Sequence, residues 1–173
     1  MSHAIYAASA ESFAAALGSL GEILALVAVR ADAAAFPAAR LAPDMFPFST
    51  QVQLTCFHAD NGTARLMGRE VAERPAIQDC DLPALQALVA QTRQSLATLT
   101  ADDFAGAEER RIVMRLQPGH ELAIDGVNFT HRWLVPNFYF HFVTAYDILR
   151  ANGLGIGKRD YISHIAGFMR QTG

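Results

Sequence analysis

The segment at residues 134–150 constrains the fold of this chain more than any other part of it. Its sequence, LVPNFYFHFVTAYDILR, would place aromatic and aliphatic side chains around nearly the whole circumference of an α-helix. Asn137, His141 and Thr144 are spaced at i, i+4 and i+7, so they share one face of that helix. Such a helix has to be buried by neighbouring helices, a membrane or a second subunit. We therefore expect His141 to be internal, which makes it a candidate ligand or acid/base residue.

Length and composition describe a single globular domain that spans residues 1–173. The chain is 51% hydrophobic and 18% charged, and a domain of this size buries roughly two thirds of its unfolded surface. Cys56 and Cys80 lie far apart without Cys-x-x-Cys spacing, which is typical of free thiols in a reducing compartment. The amino terminus lacks the basic start and the continuous apolar run of a signal peptide. We expect a cytoplasmic protein that is not embedded in a membrane.

The charge distribution argues against nucleic acid as a partner. The formal net charge is −3, and the Lys and Arg residues are scattered along the chain. Proteins that bind a phosphate backbone carry clustered positive charge. We therefore expect no nucleic-acid binding.

Apolar residues at three- and four-residue steps predict two long helices in the first part of the chain. The first runs from Ser9, whose hydroxyl can cap the first turn, to about Ala35, and Pro37 ends it. The second runs to Gly68, with Pro47 in its first turn. The apolar positions are Phe13, Leu17, Leu20, Leu24 and Val27 in the first helix, and Met45, Phe48, Val52, Cys56, Ala59, Thr63 and Leu66 in the second.

A third helix and a hairpin follow. Asp81 is a good N-cap for a helix that has Pro83 in its first turn and an apolar stripe reaching Leu99. Residues 111–116 and 121–124 then predict two short strands around a Pro-Gly turn.

The fourth predicted helix runs from about Asn137 to Asn152, and Gly153 supplies the left-handed residue that commonly follows a helix end. Residues 127–135 either extend this helix upstream, with a kink at Pro136, or form a separate turn. The sequence does not choose between these two alternatives.

A short final helix is predicted from Tyr161 to Met169, capped by Asp160. Four long amphipathic helices favour an all-α fold, an antiparallel four-helix bundle closed by their apolar stripes. The short β-hairpin is inserted before the last long helix, and the short C-terminal helix follows it.

Short segments spread in order over nearly the whole chain resemble an uncharacterised bacterial family of the DinB/YfiT-like superfamily. They are RLAPDMFPF at 40–48 with QVQ at 51–53, ARL at 64–66, F-x-GAEER at 104–110, PNFYFH at 136–141 with TAY at 144–146, and IGKRDY at 156–161. The resemblance implies the same four-helix bundle. The family has no assigned reaction, so the resemblance implies none.

The wider superfamily includes metal-binding bundles, some of them thiol-dependent transferases or isomerases, that use three histidines. One comes from the second helix, and two come from His-x-x-x-His on the last. The resemblance matches His141 to the first histidine of that pair, and the partner position holds Ala145. The second helix offers His58, which lies about 100° or more from the stripe centred on Val52 and Ala59. A divalent metal at His141 is therefore possible with an incomplete ligand set, and His58 is a doubtful ligand.

The polar residues most able to line a pocket lie on the second and fourth helices. We predict a small pocket between these helices, with His141 as binding or catalytic residue. Its ligand-binding residues would be Gln51, Thr55, Asn137, His141 and Thr144. Structural alternatives stay open: Asn137 can cap the following turn, the Gln51 and Thr55 edge can be a solvent boundary, and His141 can be a buried, hydrogen-bonded histidine.

Three functions follow from these residues. The leading hypothesis is a small-molecule-binding bundle whose ligand is unknown. The first alternative is the metal-dependent thiol transferase or isomerase implied by the superfamily, with His141 as metal ligand or base. The second is a non-catalytic structural or interaction module, which Ala145 favours because it breaks the histidine pair.

The aromatic residues of the fourth helix suggest an assembly. Tyr139, Phe142 and Tyr146 form an additional aromatic face, and one bundle covers only part of a helix. We therefore predict a homodimer through this face. In the competing explanation the hairpin or the C-terminal segment covers the same face within one chain.

Overall fold

The computed structural model describes residues 2–71 and 75–170. In this part of the chain four long helices form a bundle: α1 (Ser2–Ala28), α2 (Phe48–Leu66), α3 (Leu82–Ala97) and α4 (Val135–Ala151). Helix α1 packs on α3, and α2 packs on both α3 and α4. The predicted all-α bundle with a short hairpin is confirmed.

Local capping residues explain where helix α3 begins and where helix α4 ends. The Asp81 carboxylate accepts the amide of Ala84 at 2.9 Å, so it caps α3 as predicted. Gly153 follows the end of α4 with φ of 80°, a left-handed conformation that glycine adopts without strain.

Helix α1 differs from its prediction at both ends. It begins at Ser2, and residues Ala7–Glu11 form a π-helical turn within it. Ser9 is not a cap, because it is buried in this turn and its hydroxyl donates to the Ile5 carbonyl at 2.6 Å. The helix ends at Ala28, and a separate 3-10 helix, Ala33–Ala38, follows it.

Helix α1 is also long and apolar enough to cross a membrane, with a mean hydropathy of 1.5 in its most apolar window. Half of that window is buried inside the bundle. The buried face includes Phe13, Leu17 and Leu20. The central helix of a bundle core has this same length and composition.

Helix α2 begins at Phe48, three residues after Met45, the first apolar position of the predicted helix. Pro47 lies just before the helix rather than in its first turn, because its ψ of 164° is extended and this conformation suits an N-cap position. Every residue from Phe48 to Cys56 is buried, so the first half of α2 is enclosed on all sides.

The predicted hairpin is present as β1 (Ile112–Gln117) and β2 (His120–Ile124), which pair antiparallel. It leads into α4 through Gly126–Asn128 and a π-helical turn, Phe129–Leu134. The helix therefore extends upstream of Pro136, which settles the alternative that the sequence left open. The two π-helical turns, in α1 and before α4, lie against each other.

The C-terminal segment covers the aromatic face of α4. After a short helix α5 (Lys158–Tyr161), residues Ser163–Phe168 form a 3-10 turn in place of the single predicted helix. The Tyr161 ring stacks on Phe142 with centroids 4.7 Å apart and lies 5.7 Å from Tyr146. Phe142 is only 1% exposed. Part of the face on which the dimer prediction relied is therefore packed within one chain, and the homodimer itself stays a prediction.

Candidate functional site

Gln51 of α2 and His141 of α4 meet across the interface between their helices. The Nδ1 atom of His141 lies 2.8 Å from Oε1 of Gln51. The Gln51 side chain is fixed because its Nε2 donates to the Phe46 carbonyl at 3.3 Å, which leaves Oε1 to face the imidazole. An amide oxygen can only accept, so Nδ1 of His141 carries the proton and Nε2 keeps a free lone pair.

His58 lies directly beside His141. The two imidazoles are nearly parallel, with an interplanar angle of 9° and centroids 5.3 Å apart. The sequence analysis treated His58 as a doubtful ligand because it lies about 100° or more from the stripe of Val52 and Ala59, yet the structure places its ring beside His141. His58 follows Gln51 by seven residues, so both side chains lie on the same edge of α2, and both meet His141 of α4.

Both imidazoles are neutral at physiological pH. Burial lowers the pKa of His141 from its ordinary 6.5 to about 4. Burial, reinforced by the neighbouring His141, lowers the pKa of His58 to about 4 as well. The pair is therefore a hydrogen-bonding group at neutral pH rather than a positive charge.

Aromatic side chains flank the two imidazoles. The Phe57 ring lies edge-on to His58 at 5.5 Å, and the Phe140 ring lies edge-on to His141 at 5.2 Å. Phe140 is 59% exposed, so its ring is open to solvent beside His141. We call these four residues, His58, His141, Phe57 and Phe140, the imidazole cluster.

Three of the predicted ligand-binding residues make hydrogen bonds within their own helical segments. The Thr55 hydroxyl donates to the Gln51 carbonyl at 2.9 Å, and the Thr144 hydroxyl donates to the Phe140 carbonyl at 2.6 Å. The Asn137 amide donates to the Trp133 carbonyl at 2.6 Å, so it does not cap a helix start. The structure thus brings Gln51 and His141 together. The side chains of Thr55, Thr144 and Asn137 instead bond to backbone carbonyls four residues earlier in the chain.

A cavity of about 710 Å³ lies elsewhere, between α2, α3 and the segment that precedes α3. None of the predicted ligand-binding residues lines it. Those residues and the cavity therefore belong to different places on the bundle.

The residues present do not fit a three-ligand metal centre. No group of three His, Cys, Asp or Glu side chains within residues 2–71 and 75–170 could hold a metal ion. His58 and His141 supply two imidazoles, while Ala145 is a fully buried residue without a donor atom. A catalytic zinc ordinarily takes three protein ligands and keeps one open position.

Sequence reasoning named His58 only as a doubtful metal ligand, and it did not include Phe57 or Phe140 in the site. One signal could have found His58: Gln51, Thr55 and His58 are spaced at i, i+4 and i+7, the same pattern as Asn137, His141 and Thr144 on the fourth helix. The two Phe residues carried no such signal, because aromatic residues at those positions are equally typical of a core.

Comparison with known proteins gives two matches and one negative result. A family model described as "Domain of unknown function (DUF1993)" matches residues 5–162. A solved structure from Shewanella denitrificans, described as a DinB family member protein, is 31% identical, with 93% of each chain covered and a TM-score of 0.82. No curated protein is significantly similar in sequence.

Proposed function

This chain belongs to the DUF1993 family and has a DinB-like fold, and on that premise we propose that it is a small-molecule-binding bundle protein whose ligand binds at the imidazole cluster. The observation that carries the proposal is the hydrogen bond from His141 Nδ1 to Gln51, 2.8 Å long. It orients the ring and reserves Nε2 as an acceptor.

The chemistry of the cluster favours a ligand with an apolar body and one hydrogen-bond donor. Neutral imidazole nitrogens accept hydrogen bonds from hydroxyl, amide or thiol groups. The rings of Phe57 and Phe140 offer apolar surface on either side. A small aromatic or aliphatic alcohol, phenol or thiol meets both requirements.

The pKa of the imidazoles supports binding rather than proton abstraction. A general base is most effective when its pKa lies near the working pH. With a pKa of about 4, His141 is a weak base at neutral pH. We therefore place the enzymatic alternative, group transfer to or from a thiol, behind simple binding.

Phenol and toluene form a matched pair of probes, because they share the ring and differ in the hydroxyl donor. In protein labelled with ¹⁵N-histidine, we expect millimolar phenol to shift the Nε2 resonance of His141, and we expect toluene to shift it far less. The exposed His131 serves as an internal control. Equal shifts with both probes, or no shift with either, would leave His141 with a packing role only.

Metal content is a separate expected result. We expect protein purified without a metal-affinity tag to carry clearly less than one equivalent of Zn, Ni, Fe or Mn per chain, because two imidazoles alone bind such ions weakly. Elemental analysis measures this directly. Near-stoichiometric metal that disappears in His141→Ala would contradict the binding proposal and favour the metal-dependent enzyme.

A further inference from the structure

A specific contact holds the segment before α3 at the edge of the cavity between α2 and α3. Gln53 of α2 forms two hydrogen bonds with the backbone of Gln78: its Nε2 donates to the Gln78 carbonyl at 2.9 Å, and its Oε1 accepts the Gln78 amide at 3.0 Å. Gln53 is only 7% exposed. A buried side-chain amide bonded on both sides fixes this segment as one wall of the cavity.

The walls of this cavity are largely apolar. Phe57 and Ala64 line it from α2, and Ala84, Ala87 and Leu88 line it from α3. The Cys56 thiol also faces this region, and burial raises its pKa to about 12, so it stays protonated. The volume, about 710 Å³, falls within the range of roughly 300–1,000 Å³ that is usual for small-molecule sites.

One carboxylate interrupts the apolar wall. Asp60 of α2 lines the cavity, and its Oδ2 accepts a hydrogen bond from the Thr92 hydroxyl of α3 at 3.1 Å. The residue as a whole is exposed, yet burial of its carboxyl group raises its pKa. Asp60 is the one charged side chain among the described residues that line the cavity.

We propose that this cavity binds a small amphiphilic cation, an amine with an apolar body whose ammonium group pairs with Asp60. The apolar walls would hold the body of the ligand, and the ammonium would supply the opposite charge and a further hydrogen-bond donor beside the Thr92 hydroxyl. The site is separate from the imidazole cluster, because neither His58 nor His141 lines the cavity and only Phe57 borders both.

A matched pair of ligands tests the proposal by titration calorimetry at pH 7.5. The probes are 4-phenylbutylamine and 4-phenylbutan-1-ol, which share the apolar body and differ in charge. We expect the amine to bind at least about 10-fold more tightly than the alcohol, because a charge-assisted hydrogen bond to Asp60 is stronger than a neutral one. In Asp60→Asn this preference should disappear while the alcohol binds unchanged, since asparagine can still accept the Thr92 hydroxyl.

Two further variants locate the binding. Asp147→Asn removes the same charge from an exposed position of α4 outside the cavity and should leave both affinities unchanged. Ala87→Trp fills the cavity from an exposed position of α3 and should weaken both probes. Equal binding of amine and alcohol, failure of the amine to bind, or an amine preference retained in Asp60→Asn would each overturn the proposal.

Discussion

Replacing Gly126 with alanine is expected to destabilise the fold by about 3 kcal/mol or more, the largest effect of any substitution considered for this chain. A Cβ atom at this position would overlap the backbone carbonyl of Ala107. Backbone cannot swing aside as the end of a side chain can, so the whole approach of the hairpin region to α4 would have to shift. Urea denaturation followed by circular dichroism measures the loss.

Gly155→Ala is the matched control for this substitution. Gly155 also precedes a helix, but a Cβ added there meets nothing within 4 Å. We expect its stability to stay within about 0.5 kcal/mol of the wild type. Equal stabilities for Gly126→Ala and Gly155→Ala would contradict the close approach between Gly126 and Ala107.

The second large effect is a loss of stability on mild acidification. In the unfolded chain His58 and His141 bind protons near the ordinary pKa of 6.5, but in the folded chain each has a pKa of about 4. Below pH 6.5 the unfolded state therefore binds more protons, and stability falls as the pH falls towards 4. Because both rings are only partly buried, solvent screening reduces the effect, and we expect a loss of about 2 kcal/mol between pH 7 and pH 5.

Urea melts at half-unit steps between pH 5 and pH 7 check this expectation through the slope of stability against pH. The double variant His58→Gln/His141→Gln removes both titrating groups, so its slope should flatten even if its overall stability also changes. His131→Gln, at an exposed position before α4, should keep the wild-type slope. A double variant with the wild-type slope would show that other groups carry the pH dependence.

Secondary structure could be predicted from the sequence wherever a single local signal dominates. Asp81 with Pro83 marked the start of α3, and the Pro-Gly turn marked the hairpin. The π-helical turns were missed because they leave no local signature: Ser9, inside one of them, has the side chain of a cap, but its hydroxyl donates backwards to Ile5. A π-helical turn takes one extra residue, and its position depends on the segments that pack against the helix. The spacing of apolar residues carries no information about those segments.

The candidate site was predictable only in part, for a related reason. His141 could be identified because its helix is apolar on nearly all sides. His58 was set aside as a doubtful ligand, because the prediction measured its direction from the stripe of Val52 and Ala59 and did not use its seven-residue spacing from Gln51, which is only 1% exposed. A polar residue at an enclosed position is tolerated when its hydrogen bonds are made, and the partner that makes them lies 90 residues away in sequence.

The packing of Tyr161 against α4 bears on how two copies of the chain could associate. A homodimer through Tyr139, Phe142 and Tyr146 stays a prediction, but a second copy would have to compete with a segment of the same chain for this face. A tethered segment acts at an effective concentration of about millimolar, far above a micromolar second copy. Dimerisation there would therefore require exchange, in which each chain inserts its Tyr161 into the other and recovers the same contacts. Such a domain-swapped dimer would interconvert slowly with the monomer, so its abundance would depend on how the protein was folded and concentrated.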